Sequence, residues 1–288
     1  MSSRRRIGEA VRDLLGAHSV AHRPNHTGAT KLSYVVDRDG ERLWVRVAAD
    51  EEEHAALLRW AEHAARLSER YAAPPLLDRF VVEGRAALVF PLLPVPVATR
   101  AGLAARSGEL LAVLGALHAD AELAAALGPP VTAGQAFTDV WVSRFVADLA
   151  VTEGYLDRDV HLWLTDEVEA LAGLIAGPAF DQPVHSAVHG DPWHENLLLG
   201  EDRFWLLDWE DLAVGDPVVD EAIVHMDAHG PEAAWPDTER HRVARRALFL
   251  DTVIDVAADW VEAVDPVVRA TKERGWRAGL EAYRAAYP

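Results

Sequence analysis

Near the start of the chain apolar residues recur at Ile7, Val11, Leu14 and Leu15, a spacing that predicts a short helix over 5–16. The habit then changes. Leu32–Val36 and Leu43–Val47 are short apolar runs flanking Asp37-Arg38-Asp39-Gly40, whose Asp-Gly ending is a hairpin signal. A second helix is expected from about Asp50 to Ser68, with Leu57, Leu58, Ala61, Ala64 and Leu67 on one face. Phe80–Glu83 and Ala86–Phe90, separated by Gly84-Arg85, read as a second hairpin.

Pro91, Pro94 and Pro96 break this pattern, and they mark the expected junction between two lobes, 1–92 and 93–288. Beyond it the chain turns helical, over about 101–119, 139–152 and 160–175. Val243, Ala247, Leu250, Ile254, Ala257 and Val261 alternate steps of four and three, which predicts a long amphipathic helix. A last helix is expected from Pro266 to Ala286. A small β-rich lobe followed by a larger helical one gives an α+β, bilobal fold.

Half of the 288 residues are apolar, enough for a core that supports itself. Cysteine is absent, which removes disulfides, thiolate metal sites and cysteine nucleophiles. The basic start is interrupted by Glu9 and Asp13 with no apolar stretch behind it, and no apolar run is long enough for a bilayer span. A soluble, cytoplasmic protein is expected. Lys and Arg number 28 against 46 Asp and Glu, a formal charge of −18. That excess repels nucleic acid and anionic membrane and favours small cationic partners.

One stretch of the second lobe breaks the helical habit. Val188-His189-Gly190-Asp191-Pro192-Trp193-His194-Glu195-Asn196 leads into Leu197–Leu199; a Gly-Glu-Asp-Arg turn and a second apolar strand ending on Asp208 follow, with Trp209 and Glu210 beyond. Phosphoryl transfer requires a carboxylate beside the attacking hydroxyl and oxygen ligands for magnesium bridging the phosphates. An Asp and an Asn five residues apart, with a further Asp at a nearby strand end, supply these parts. Taken singly the residue types have plainer uses: Asp forms turns and caps helices, and Asn196 can simply start a strand. Trp193 and His194 receive no role, and Glu210 is either near the metal or a solvated or capping carboxylate.

The spacing His-Gly-Asp-x-x-x-x-Asn, followed about a dozen residues later by an apolar strand and Asp, resembles the aminoglycoside phosphotransferase family. That family is similar in fold to protein kinases. The resemblance runs from about His22 to the end. It implies Asp191 as the base, Asn196 and Asp208 as Mg2+ ligands, and His189 as a support for the loop. Gly215-Asp216-Pro217-x-x-Asp220 is similar to the family's Gly-Asp-Pro-x-x-Asp, so Asp216 and Asp220 are expected to anchor the loop and cap the next helix.

The same resemblance assigns ATP or GTP to the first lobe. Leu43-Trp44-Val45-Arg46-Val47 is the third-strand candidate, which sets Arg46 where kinases carry the phosphate-pairing Lys. Its helix partner is one of Glu51, Glu52 and Glu53. Glu53 is preferred because it lines up with Leu57, Ala61 and Ala64. Asn25–Lys31, with the single glycine Gly28, is the phosphate-loop candidate and departs from the Gly-rich kinase loop. The base would meet the carbonyl of Pro91 and the amide of Leu93, with Phe90 behind it.

The function expected is transfer of the γ-phosphoryl of ATP or GTP to a hydroxyl of a small polar molecule, amine-bearing on the argument from charge, with an aminoglycoside the leading case. Asp211, Asp227, Asp255, Asp259 and Glu262 are candidate carboxylates for such an acceptor; the last three share one helix face. Alternatives are a catalytically silent nucleotide-binding protein of this fold, a kinase of a neutral sugar or choline-like metabolite, and a metal-dependent hydrolase built on His189, Asp191, His194 and Asp208.

Overall fold

The computed structural model describes residues 3–22, 32–230 and 234–287. In chain order the elements are α1 (Ser3–Leu15), β1 (Ser19–His22), β2 (Leu32–Arg38), β3 (Glu41–Val47), α2 (Glu51–Arg70), β4 (Asp78–Val82) and β5 (Arg85–Pro91). There follow α3 (Arg100–His118), α4 (Ala121–Leu127), β6 (Val131–Thr132), α5 (Ala133–Phe137), α6 (Ser143–Thr152), α7 (Arg158–Ile175), β7 (Pro183–Val184), β8 (Ser186–Val188), β9 (Leu197–Leu199) and β10 (Phe204–Leu206). The chain closes with β11 (Ala213–Gly215), α8 (Pro217–His229), α9 (Glu239–Glu262) and α10 (Pro266–Ala286). Two compact units result: residues up to 102 together with 191–212, and residues 103–190 together with 213–288.

In the first unit the antiparallel sheet runs β1-β2-β3-β5-β4. The predicted hairpins are both present. The first turns on Asp39-Gly40 (φ 52° and 86°). The second turns on Glu83-Gly84 (φ 48° and 78°), one residue earlier than the expected Gly84-Arg85. A two-residue turn that matches the strand twist needs two consecutive positive φ angles, which centres each turn on the acid-Gly pair. The strand β1 was not anticipated.

Strand alternation divides the sheet into two faces. Leu43, Val45, Val47, Ala87 and Val89 join Ile7, Val11 and Leu15 of α1 in one buried cluster. The intervening Trp44, Arg46, Leu88 and Phe90 therefore turn to the other face, where Trp60 of α2 stacks on Phe90 at 4.8 Å and Trp44 lies 5.3 Å from the same ring. Asp50 caps α2 by accepting from the Glu53 amide. The buried stripe of α2 is Ala56, Leu57, Trp60, Ala64 and Leu67, whereas Leu58, expected on that face, is 39% exposed. Steps of three and four from Leu57 reach Trp60, Ala64 and Leu67 and leave Leu58 at the margin. Trimming the fully buried Trp60 to Ala would cost about 3–5 kcal/mol.

In the second unit α9 is the central helix, packed by α6, α7, α8 and α10. The helix expected over 139–152 begins earlier: α5 and α6 are joined through a π-helical stretch, Thr138–Val142. A short helix, α4, lies in a segment given no structure by its pattern. Strands β8 and β11 pair antiparallel, Val188 opposite Ala213 and Ser186 opposite Gly215. A Cβ on Gly215 would lie 2.7 Å from Val188 Cγ2, so the pairing requires glycine there. Among the described residues no single helix is long and apolar enough to cross a membrane.

Candidate active site

The β9–β10 hairpin sets the geometry. Leu197 pairs with Leu206, and the Leu207 amide donates to the Asn196 carbonyl at 2.8 Å, so Asn196 and Asp208 emerge at the same open end. Just upstream the chain folds back through a single turn, His194–Asn196, closed by the Asn196 amide on the Trp193 carbonyl at 2.9 Å. That turn brings Asn196 onto Asp191: its side-chain nitrogen donates to the Asp191 carbonyl at 2.9 Å and to the Asp191 carboxylate at 2.7 Å. The amide oxygen of Asn196 is thereby turned away from that carboxylate. Two residues that stand five apart in sequence are thus in direct contact.

Asp208 differs from its expected placement at a strand end. The strand stops at Leu206, and Asp208 adopts the left-handed conformation (φ 54°, ψ 61°) that opens the turn Trp209–Asp211. For a non-glycine residue this costs about 1–2 kcal/mol, least for Asp and Asn. The fully buried Trp209, whose ring N–H donates to the Leu206 carbonyl at 2.8 Å, fixes the turn from beneath.

Arg46 lies on the α2 face of the sheet with no exposed surface. Its Nη2 pairs with Glu53 of α2 and, at 3.0 Å, with Glu210 of the turn after Asp208. Glu53 also accepts the Ala49 amide. Among the described residues neither Nε nor Nη1 of Arg46 has a hydrogen-bond partner. Of the three acids that open α2, the structure therefore joins Glu53 to Arg46. Glu210, for which the sequence suggested a place near the metal or in solvent, is the second carboxylate on the same guanidinium.

At the end of β5, Leu92 donates to the Arg42 carbonyl at 2.9 Å. Alternation then directs the neighbouring Pro91 carbonyl away from β3, beyond the end of β4. Proline fits this position because the ladder asks nothing of its nitrogen. Leu93 follows two residues on, partly buried. Gly28 and the rest of Asn25–Lys31 lie outside the described residues.

In the second unit, buried His189 and the adjacent Gly190 are held by one carboxylate. Asp220 accepts the His189 amide at 2.9 Å and the Gly190 amide at 2.8 Å, and it pairs with His118 Nε2 at 2.9 Å. Asp216 caps α8 through the Val218 amide at 3.0 Å and pairs with Arg240 at 2.6 Å. His118 was not singled out from the sequence; only its place in a helix was legible.

The same unit carries a crowd of carboxylates. Asp148 of α6 interacts with Asp255, Asp259 and Glu262 of α9. Burial, then Asp255, pushes Asp148 up to about 6, against the pull of Arg144. Burial pushes Asp251 up to about 7, against the neighbouring Arg144. Asp259 is raised by burial despite its ion pair with Lys272. Of the other acceptor candidates, Asp211 is exposed in the first unit and Asp227 is buried in α8.

Among the described residues no group of three or more His, Asp or Glu side chains is arranged to hold a metal ion. The four-residue centre of the hydrolase reading is therefore not assembled. Magnesium needs less: one or two carboxylates and other oxygens, with water and substrate phosphates completing the shell. The hairpin end fits that demand in its donor set, since the backbone contact of Leu207 with Asn196 brings Asp208 to the same end as Asn196, whose amide oxygen is turned away from the Asp191 carboxylate.

The profile of the phosphotransferase enzyme family (APH) matches residues 22–260. No curated protein sequence matches the chain. Among solved structures, the chain resembles a thermostable mutant of aminoglycoside phosphotransferase APH(4)-Ia with a TM-score of 0.63 at 16% identity, covering 98% of this chain and 99% of that one. That protein is also known in a ternary complex with ADP and hygromycin B. Choline kinase LicA from Streptococcus pneumoniae gives 0.58 at 12% identity, covering 98% of each chain. Macrolide 2'-phosphotransferase MphH from Brachybacterium faecium gives 0.53 at 18%, covering 94% and 98%. The α+β, protein-kinase-like fold expected from the sequence is the fold these enzymes share.

Proposed function

The chain belongs to the phosphotransferase enzyme family, and on that premise we propose that it moves the γ-phosphoryl group of ATP or GTP to a hydroxyl of a small, amine-bearing molecule, an aminoglycoside-like compound foremost. The observation that carries this reading is the meeting of Asp191, Asn196 and Asp208 around the open end of one hairpin. The Asp191 carboxylate accepts the proton of the acceptor hydroxyl as its oxygen bonds to the γ-phosphorus. The bond from that phosphorus to the bridging oxygen breaks, and the nucleoside diphosphate leaves with the electron pair. Asn196 and Asp208 would hold magnesium, which when bound neutralises charge across the phosphates. Arg46, held by Glu53, is assigned to the phosphates, the place the family resemblance gives it. The Pro91 carbonyl and the Leu93 amide receive the base, and Gly28 belongs to the phosphate-covering loop. His189 supports the loop through the backbone that Asp220 anchors. In these terms 1–92 is the nucleotide lobe and 93–288 carries the acceptor.

The amine is argued from the crowd around Asp148, Asp251, Asp255, Asp259 and Glu262. Asp148 and Asp251, pushed upward by burial and by neighbouring carboxylates, gain from a cation placed among them. The test is Asp191→Asn. Turnover falls at least about a hundredfold while nucleotide affinity barely moves, because the carboxylate serves the acceptor. A variant with half the wild-type activity removes Asp191 from the mechanism.

A further inference from the structure

Arg46 carries five N–H donors, yet both of its carboxylates fall on the same nitrogen, Nη2, while Nε and Nη1 have no partner among the described residues. Glu53 alone neutralises a buried guanidinium. A second carboxylate leaves the trio with a net negative charge, which is adverse for an arginine meant to meet phosphate. The value of Glu210 must therefore lie at its own end of the contact.

That end is the turn opened by Asp208 in its left-handed conformation. One side of the turn is tied by the Leu207 amide to Asn196, and its floor by the Trp209 ring to Leu206. Glu210 ties it to Arg46 across 164 residues of sequence, and Arg46 is tied through Glu53 to α2. The guanidinium is thus joined through Glu210 to the turn that Asp208 opens, two residues along the chain.

We infer that Glu210 is a positioning residue that couples Arg46 to Asp208, so that phosphate at the guanidinium and metal at the carboxylate favour each other's binding. The inference rests on the site proposed above and adds to it a named route of coupling. Coupling of this kind is measured as a ratio: the factor by which magnesium tightens nucleotide binding.

The experiment is calorimetry with the non-hydrolysable imido analogues of ATP and GTP, in magnesium and in EDTA, on wild type, Glu210→Gln, Arg46→Met and the double variant. Glu210→Gln should cut the magnesium enhancement about tenfold. Affinity in EDTA should stay the same or rise, since a carboxylate is gone from a phosphate site. Arg46→Met should cut the enhancement equally, and the double variant no further. In the ligand-free protein both single variants should speed hydrogen exchange at the Leu207 amide, with the melting profile retained. Should Glu210→Gln fail to fold, Glu210→Asp shortens the same contact and should give the same pattern. An enhancement unchanged by Glu210→Gln, or lost there but intact in Arg46→Met as direct metal ligation would have it, overturns the inference while the phosphotransfer site stands. A wild-type protein that binds no nucleotide, or binds it without help from magnesium, overturns that site and the inference with it.

Discussion

Asp220 is a fully buried carboxylate with three donors on its two oxygens. One oxygen accepts both the His189 amide and His118 Nε2; the other accepts the Gly190 amide. Since a carboxylate only accepts, His118 must carry its proton on Nε2. Asp220→Asn changes no shape but converts one oxygen to a donor. The surviving oxygen keeps the two-donor position, and the new NH2 group faces the Gly190 amide. One bond is lost with a half-buried donor left unsatisfied, at about 1–3 kcal/mol, and two bonds to a charge become neutral at about 1 kcal/mol each. The sum is about 3–5 kcal/mol, a large share of the stability of an ordinary domain. Urea unfolding followed by circular dichroism reads it directly, and turnover should fall as well because Asp191 follows this anchored pair in the chain. A loss below about 1 kcal/mol would refute the reasoning, since it would mean that the three bonds do not share the load the geometry gives them.

Further expectations concern the acidic crowd and the metal. A carboxylate whose folded value is raised makes no contribution below its unfolded value, where both states are protonated; it costs stability as pH rises from that value to its folded value near 6, and the cost is complete above it. Asp148→Asn should therefore stabilise the protein at about pH 8, by about 1–2 kcal/mol after allowance for solvent screening, and not at about pH 3; equal effects at both would refute the assignment. For an amine-bearing acceptor the Michaelis constant should climb severalfold from low to high ionic strength while that of a neutral analogue stays flat, and a neutral sugar phosphorylated faster than every amine tested would contradict the charge argument. Asp208→Ala should abolish magnesium-dependent nucleotide binding, and unchanged calorimetric affinity would make the Asp-Trp-Glu segment structural only.

Much of this was legible because the signals are local. Asp39-Gly40 announces its turn by residue type, and the spacing of Asp191, Asn196 and Asp208 is set by one loop and one hairpin. The two acid-Gly turns also show the limit of pattern reading: the apolar runs located the second hairpin, but only the φ requirement centres it on Glu83-Gly84. Leu58 and Trp60 compete for the same stripe, and one-dimensional periodicity cannot weigh an indole that stacks on Phe90 against a leucine. The least legible feature was Glu210. Its partner lies on a strand far upstream, and an exposed-looking acid within a turn carries no mark of a buried arginine waiting for it. Asp148 was invisible for the same reason, since α6 and α9 meet only in the folded chain. The left-handed Asp208 could not be read because Asp is merely tolerant of that conformation, whereas glycine would have signalled it.

The central claim is that the protein places a phosphoryl group on the hydroxyl of a small molecule. Mass spectrometry on a panel of amine-bearing and neutral hydroxyl compounds, each incubated with magnesium and either ATP or GTP, tests it most directly. At least one amine-bearing compound should gain the mass of one phosphate with wild-type protein, with a matching yield of nucleoside diphosphate, and should gain almost none with Asp191→Asn. Tight nucleotide binding with no phosphorylated product from any compound, amine-bearing or neutral, would contradict the account and favour a catalytically silent member of the fold.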